Sequence, residues 1–184
     1  MAEILPLREM IVLETERLRL RHLDPDADAQ FILELVNEPP FLQYIGDKGV
    51  RTLADARGYI TDGPVKSYKT NGYGLYKVEL KTDAASIGMC GLLKRDTLPD
   101  ADIGFAFLKR YWNEGYAYES AAAVMKYARE QLAINRVLAI TTPDNAASGK
   151  LLNKIGLRFD RVIKLAPEAD EVKLFTSEND ETSR

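Results

Sequence analysis

Cysteine and histidine are nearly missing from this chain: Cys90 and His22 are the only ones. A lone cysteine cannot form an internal disulfide, and one cysteine with one histidine cannot build the four-ligand cluster of a structural zinc site. Long apolar runs are missing as well. Stretches such as 137–140 fall far short of the roughly 18 consecutive residues that a membrane helix needs. Positive charge is not in excess either, with 25 Lys and Arg against 28 Asp and Glu. That balance argues against general nucleic-acid binding, which relies on basic surface to release counterions. The opening Met1-Ala2-Glu3-Ile4-Leu5-Pro6 lacks the basic and apolar regions of a secretory leader, so the expected location is the cytoplasm.

What is present is a near-average globular composition, 46% hydrophobic and 29% charged over 184 residues. That length suits one core rather than two. We expect one domain over 1–176 and a frayed polar tail over 177–184. Residues 11–13 and then 18–21 alternate, apolar facing one way and basic the other, as an edge or half-buried strand does. Phe31, Ile32, Leu35 and Val36 then form a helical stripe that Pro39-Pro40 must end. From 41 to 68 the pattern is irregular, with one short helix expected over 52–60, capped by Thr52. This segment, with Tyr44, Arg51, Arg57 and Tyr59, reads as a wall shaping a site.

Three short apolar runs, 73–80, 87–94 and 102–108, predict an antiparallel meander. A helix follows on Ala117, Ala121, Val124, Met125, Ala128 and Leu132, then a buried strand over 136–142. A second helix to Ile155, stopped by Gly156, precedes strands around 157–165 and 172–176. The order is α/β (α+β), antiparallel first with a crossover later.

The most informative stretch runs from Asp102 through Phe107, Leu108, Lys109, Arg110, Tyr111, Trp112, Asn113, Glu114, Gly115, Tyr116 and Ala117. It passes from a strand through a turn directly into a helix. A helix N-terminus offers unpaired N–H groups and the positive end of a dipole, which suits a diphosphate. Gly115 removes a Cβ at the approach, and Asn113 tolerates a left-handed backbone. Lys109 and Arg110 add positive charge. Ordinary helix-on-sheet packing would also use Gly115 and Ala117, so the turn alone does not decide. About thirty residues later, Asn145, Ser148 and Leu152 share one face of a helix that again follows a strand.

With both segments in view, the chain resembles the GNAT superfamily of acetyltransferases, and within it the RimJ and RimL type of ribosomal-protein N-terminal acetyltransferase. The resemblance rests on Leu13-Glu14-Thr15-Glu16-Arg17-Leu18-Arg19-Leu20, on Tyr111-Trp112-Asn113-Glu114-Gly115-Tyr116-Ala117-Tyr118-Glu119, and on Asn145-x-x-Ser148 with Lys154-x-Gly156-Leu157. It implies a mixed, mostly antiparallel sheet of about seven strands with about four helices, splayed between the family's fourth and fifth strands. Here those are 102–108 and 136–142.

The resemblance also implies acetyl-CoA as cosubstrate, direct acetyl transfer to a primary amine, no metal, and a monomer or homodimer. Phe107 and Leu108 would pair their backbone with pantetheine, and a backbone N–H there would polarise the thioester carbonyl. Arg110 and the turn from Trp112 through Asn113, Glu114, Gly115 and Tyr116 to Ala117 would hold the diphosphate, and Asn145 the cofactor arm. Trp112 stands where Gln or Arg is usual and Glu114 where a base is common, so Glu114 must point away from the phosphates. Leu152 replaces the tyrosine that many relatives use to protonate the thiolate, which leaves Ser148. An asparagine cap and a first-turn serine also have structural uses.

Candidate bases are Asp102, Glu79 and Glu119, the last with helix-dipole stabilisation as its alternative use. Cys90 reads as a core residue rather than a nucleophile, and His22 as structural. A CoA-binding module without catalysis is the competing reading.

Overall fold

Residues 9–177 are described by the computed structural model. The expected tail lies outside them from 178 onward, while Ser177 closes the last strand. The strands are β1 (Ile11–Glu14), β2 (Leu18–Arg21), β3 (Leu75–Leu80), β4 (Ser86–Leu93), β5 (Asp102–Phe107), β6 (Leu138–Thr141), β7 (Leu157–Lys164) and β8 (Glu171–Ser177). They form one eight-stranded sheet in the order β1-β2-β3-β4-β5-β6-β8-β7. All pairs are antiparallel except β5 with β6.

The count exceeds the expected seven because the opening alternation is a hairpin. Thr15 folds the chain back, its N–H donating to Leu18 O at 2.9 Å and its Oγ1 accepting from Leu18 N at 3.0 Å. Two further helices exceed the expected four. The stripe is α1 (Ala29–Val36), and Pro39-Pro40 end it but also open α2 (Pro39–Tyr44). First-turn N–H groups have no helical acceptor, so proline is harmless there. Next come α3 (Leu53–Ile60), a π-helical turn Thr61–Val65 and α4 (Lys66–Asn71). The expected cap is present. Thr52 Oγ1 accepts from Asp55 N and the Asp55 carboxylate accepts from Thr52 N, a reciprocal capping box. The segment read as irregular is therefore largely helical.

Two layers cover the sheet. On one face lies α5 (Tyr116–Glu130), which buries Ala121, Val124, Met125 and Ala128 at the i, i+3, i+4, i+7 spacing against Leu18, Leu20, Val78, Ile87 and Leu92. Burying each valine- or methionine-sized side chain contributes about 1.5–3 kcal/mol. Cys90 belongs to this core, and burial pushes its thiol up to about 12. On the other face α1 and α3 pack Phe31, Ile32, Leu35, Ala56 and Ile60 against Met89, Ala106 and Leu108. A last helix, α6 (Ala146–Lys154), connects β6 to β7. No helix among the described residues is long and apolar enough to cross a membrane.

The α1 layer changes the meaning of the basic residues in β2. Alternation alone places Arg21 on a wet face, yet Arg21 and Lys77 are each only 6% exposed. Asp28, at the start of α1, is fully buried over them; it accepts from both Arg21 Nη atoms at 2.8 Å and from Lys77 Nζ at 2.7 Å. Glu79 closes the network, 2.9 Å from Arg21 and 3.0 Å from Lys77. Two cations and two carboxylates are thus buried as a neutral set.

Candidate functional site

β5 and β6 part almost at once. Their register has one pair, Asp102 with Leu138, beside a hydrogen bond from Leu138 N to Ala101 O at 2.9 Å. Beyond it β5 remains hydrogen-bonded to β4 only, and β6 to β8 only.

Antiparallel ladders alternate, so one bond tells which way every residue faces. Leu108 N donates to Ile87 O at 2.9 Å. Ala106 therefore bonds across to Met89 in the same register, and Phe105 and Phe107 turn their backbone groups toward the gap. Leu108, expected to pair with pantetheine, already gives its N–H to β4. Phe107 keeps its N–H, while its carbonyl accepts from Trp112 Nε1 at 2.8 Å. Trp112 thus holds the β5 end instead of presenting the polar side chain usual at its position.

The gap leads to the turn before α5. Asn113 and Gly115 have φ of 64° and 84°, the left-handed conformations expected of those residue types. The first backbone bond of α5 runs from Glu119 N to Gly115 O at 3.0 Å. The N–H groups of Tyr116, Ala117 and Tyr118 consequently have no backbone acceptor among the described residues. Together with the side-chain-free Gly115 they fit a diphosphate, as the Phe105 and Phe107 backbone fits an amide-bearing arm. The Glu114 side chain is exposed, and its carbonyl accepts from Arg17 Nη1 at 3.0 Å.

Arg17 is the residue at this turn that spacing did not single out. Its guanidinium lies 4.5 Å from the Tyr116 ring centre, and Nε donates to Glu119 Oε2 at 2.7 Å. Glu119 also accepts from Thr15 Oγ1 at 2.6 Å and Arg17 N at 2.9 Å. Partial burial alone would raise the Glu119 pKa, but these donors outweigh it and leave the carboxyl below its ordinary value. Glu119 thus ties the β1 hairpin to α5. Arg110, expected beside the phosphates, pairs with Glu34 of α1, and Lys109 N donates to Glu38 at 2.8 Å.

Other expected groups divide similarly. Asn145 caps α6, its Oδ1 accepting from Ser148 N at 3.0 Å. Both residues are half-buried, and the Ser148 hydroxyl has no hydrogen-bond partner among the described residues. Asp102 lies where the gap closes, 1% exposed, with Arg95 Nε 3.0 Å from both of its oxygens. Desolvation raises its pKa, and Arg95 opposes that rise. Glu79 is locked in the buried ion network. In the wall, Arg51 is held by Asp47, and Arg57 by Asp26 at 3.1 Å, whereas Tyr59 packs toward the sheet. His22 stacks on Tyr68 at 3.9 Å between ring centres.

The fold recurs in known proteins. Residues 17–158 match the acetyltransferase (GNAT) domain model. The chain is 31% identical over 155 residues to the uncharacterized N-acetyltransferase YjdG of Bacillus subtilis, covering 80% of this chain and 89% of that protein. A crystal structure of an acetyltransferase from Agrobacterium tumefaciens superposes with a TM-score of 0.74 at 25% identity, covering 90% of this chain and 93% of that one. A putative ribosomal-protein-serine acetyltransferase from Vibrio cholerae shares the fold at a TM-score of 0.72 and 19% identity, covering 94% and 98%. With a sheet that splays at one bridge and a family model matched across most of its length, the chain belongs to the acetyltransferase (GNAT) domain family and is an acyltransferase.

Proposed function

We propose that this enzyme transfers an acetyl group from acetyl-CoA directly to a primary amine. The observation that carries the reading is the single Asp102 and Leu138 bridge, beyond which the Phe105 backbone and the Phe107 N–H face the gap with no strand partner. When bound, acetyl-CoA supplies an activated acetyl thioester. The Phe105 and Phe107 backbone would hold its arm, and the amides of Tyr116, Ala117 and Tyr118 its diphosphate. One gap-facing N–H of β5 would polarise the thioester carbonyl.

Ser148 is the proposed donor to the departing sulfur. A thiol of pKa about 8.5 leaves tolerably as thiolate, so a hydrogen bond suffices. A base needs hydrogen-bond reach to the amine proton. Glu119 and Glu79 are held in ion pairs, and Asp102 is covered by Arg95, so we assign Asp102 the task of anchoring Arg95. An acceptor already partly neutral then fits best. An α-amine of pKa about 7.7–8.0 meets that condition, and a lysine amine near 10.4 does not. That preference agrees with the RimJ and RimL resemblance.

The test is acetyl-CoA-dependent thiol release across a panel of peptide N-termini and small amines. Release that requires an α-amine supports the proposal. Tight acetyl-CoA binding with no release for any amine would reduce the protein to a binding module.

A further inference from the structure

β7 ends the sheet, with β8 on one side of it and no strand on the other among the described residues. Residues 158–162 of this edge are all exposed, Phe159 at 53% and Val162 at 47%. One bond fixes which backbone groups are free. Ser177 N donates to Val137 O at 2.9 Å, so Ser177 and every second residue before it in β8 face β6. Thr176, Leu174 and Val172 therefore face β7, where they meet Arg158, Arg161 and Ile163. Phe159, Val162 and Lys164 turn their N–H and C=O groups outward.

The register shift between Phe159 and Arg161 lets Asp160 and Arg161 share one position opposite Leu174. Phe159, opposite Phe175, and Val162, opposite Lys173, are consequently two positions apart, on one face and with their backbones pointing the same way. The Phe159 ring stands edge-on to Phe175 at 5.9 Å between centres, and Phe175 packs in the core with Leu152 of α6. Asp160 and Arg161 lie on the other face, Arg161 Nη1 donating to Asp160 at 2.8 Å. Turning this edge end for end onto a copy of itself, about the Asp160 and Arg161 position, sets Phe159 against Val162 and Asp160 against Arg161, each twice. Apolar meets apolar and each acid meets a cation. A bulge commonly blunts an edge; here it supplies the symmetry, because an unbulged strand of the same sequence would put Phe159 and Val162 on opposite faces.

We infer that β7 is a docking surface for β7 of a second copy of this chain, paired antiparallel in a two-fold contact that joins the two eight-stranded sheets into one. The outward backbone groups of Phe159 bond to those of Val162 in the second copy, and Asp160 of each chain pairs with Arg161 of the other. Both β6 and β8 stand between this edge and the gap, so the contact is independent of the transfer reading.

Sedimentation velocity over a concentration series reads the association, against a chain mass of 20.6 kDa. The wild-type protein should approach twice that mass. Asp160→Lys and Arg161→Glu, both at exposed positions, should each raise the dissociation constant about tenfold or more, because each turns both symmetry-related pairs from attraction to repulsion. An equimolar mixture of the two variants should recover the wild-type association, since every substituted side chain then meets the opposite charge on the other chain. Recovery in the mixture also shows that both variants fold. A wild-type protein that stays at the mass of one chain, a dimer that Asp160→Lys leaves as tight, or a mixture no tighter than its components overturns the pairing.

Discussion

Gly115 is the position where backbone cost and ligand electrostatics separate most cleanly. Its φ is 84°, and an added Cβ would stand 3.3 Å from Arg17 Nη2, a flexible group that can yield by a few tenths of an ångström. Gly115→Ala should therefore lose about 1–2 kcal/mol of stability, the cost of a left-handed L-residue. Gly115→Glu carries the same backbone cost, reduced by the about 0.3–1 kcal/mol that a carboxylate gains at a helix N-terminus. Both variants should fold. Their affinities for acetyl-CoA should differ sharply, because a carboxylate near 4 Å from a phosphate charge at an effective dielectric of about 20 costs up to about 4 kcal/mol. Partial screening leaves about 2–4 kcal/mol, roughly 30- to 1,000-fold in affinity. Chemical denaturation reads the first quantity and calorimetry the second. If the glutamate variant binds acetyl-CoA as tightly as the alanine variant, the turn is not the diphosphate site.

Three further outcomes are expected. Ser148→Ala should lower kcat by about 10- to 100-fold while acetyl-CoA affinity changes little; a wild-type rate removes Ser148 from the chemistry. Asp28→Ala leaves Arg21 and Lys77 sharing Glu79 and should cost about 3–5 kcal/mol in urea unfolding, and a loss under 1 kcal/mol contradicts the buried network. His22 titrates below its ordinary value because burial disfavours its charged form. A folded pKa below the unfolded one means stability is present above about 6.5 and lost as pH falls from there toward the folded value. His22→Phe should flatten that decline while keeping a ring on Tyr68; an unchanged slope assigns the decline to other groups.

Much of this architecture was legible because its signals are local. The α5 stripe, the Thr52 cap and the Asn113 and Gly115 turn each follow from residues a few positions apart. The hairpin at Thr15 was missed since its turn is made by a threonine bonding to Leu18 rather than by glycine. α2 was hidden behind prolines that read as a stop. Arg21 looked wet because its burial is made tolerable only by Asp28, brought over it by α1, and by Glu79. The Arg17 link to Glu119 and the Arg95 link to Asp102 join separate elements, and no spacing rule encodes them. Direction along β5 was not legible. Whether Leu108 or Phe105 faces the gap depends on one register bond to Ile87, which sequence does not give.

The central claim is that acetyl-CoA lies in the gap between β5 and β6, bonded to the backbone that β6 leaves unpaired. Amide hydrogen exchange, measured residue by residue with and without acetyl-CoA, tests it directly. Exchange at Phe105, Phe107, Tyr116, Ala117 and Tyr118 should slow on binding, while Ala106 and Leu108, already bonded to β4, change far less. Binding that leaves Phe105 and Phe107 exchanging as before contradicts the account.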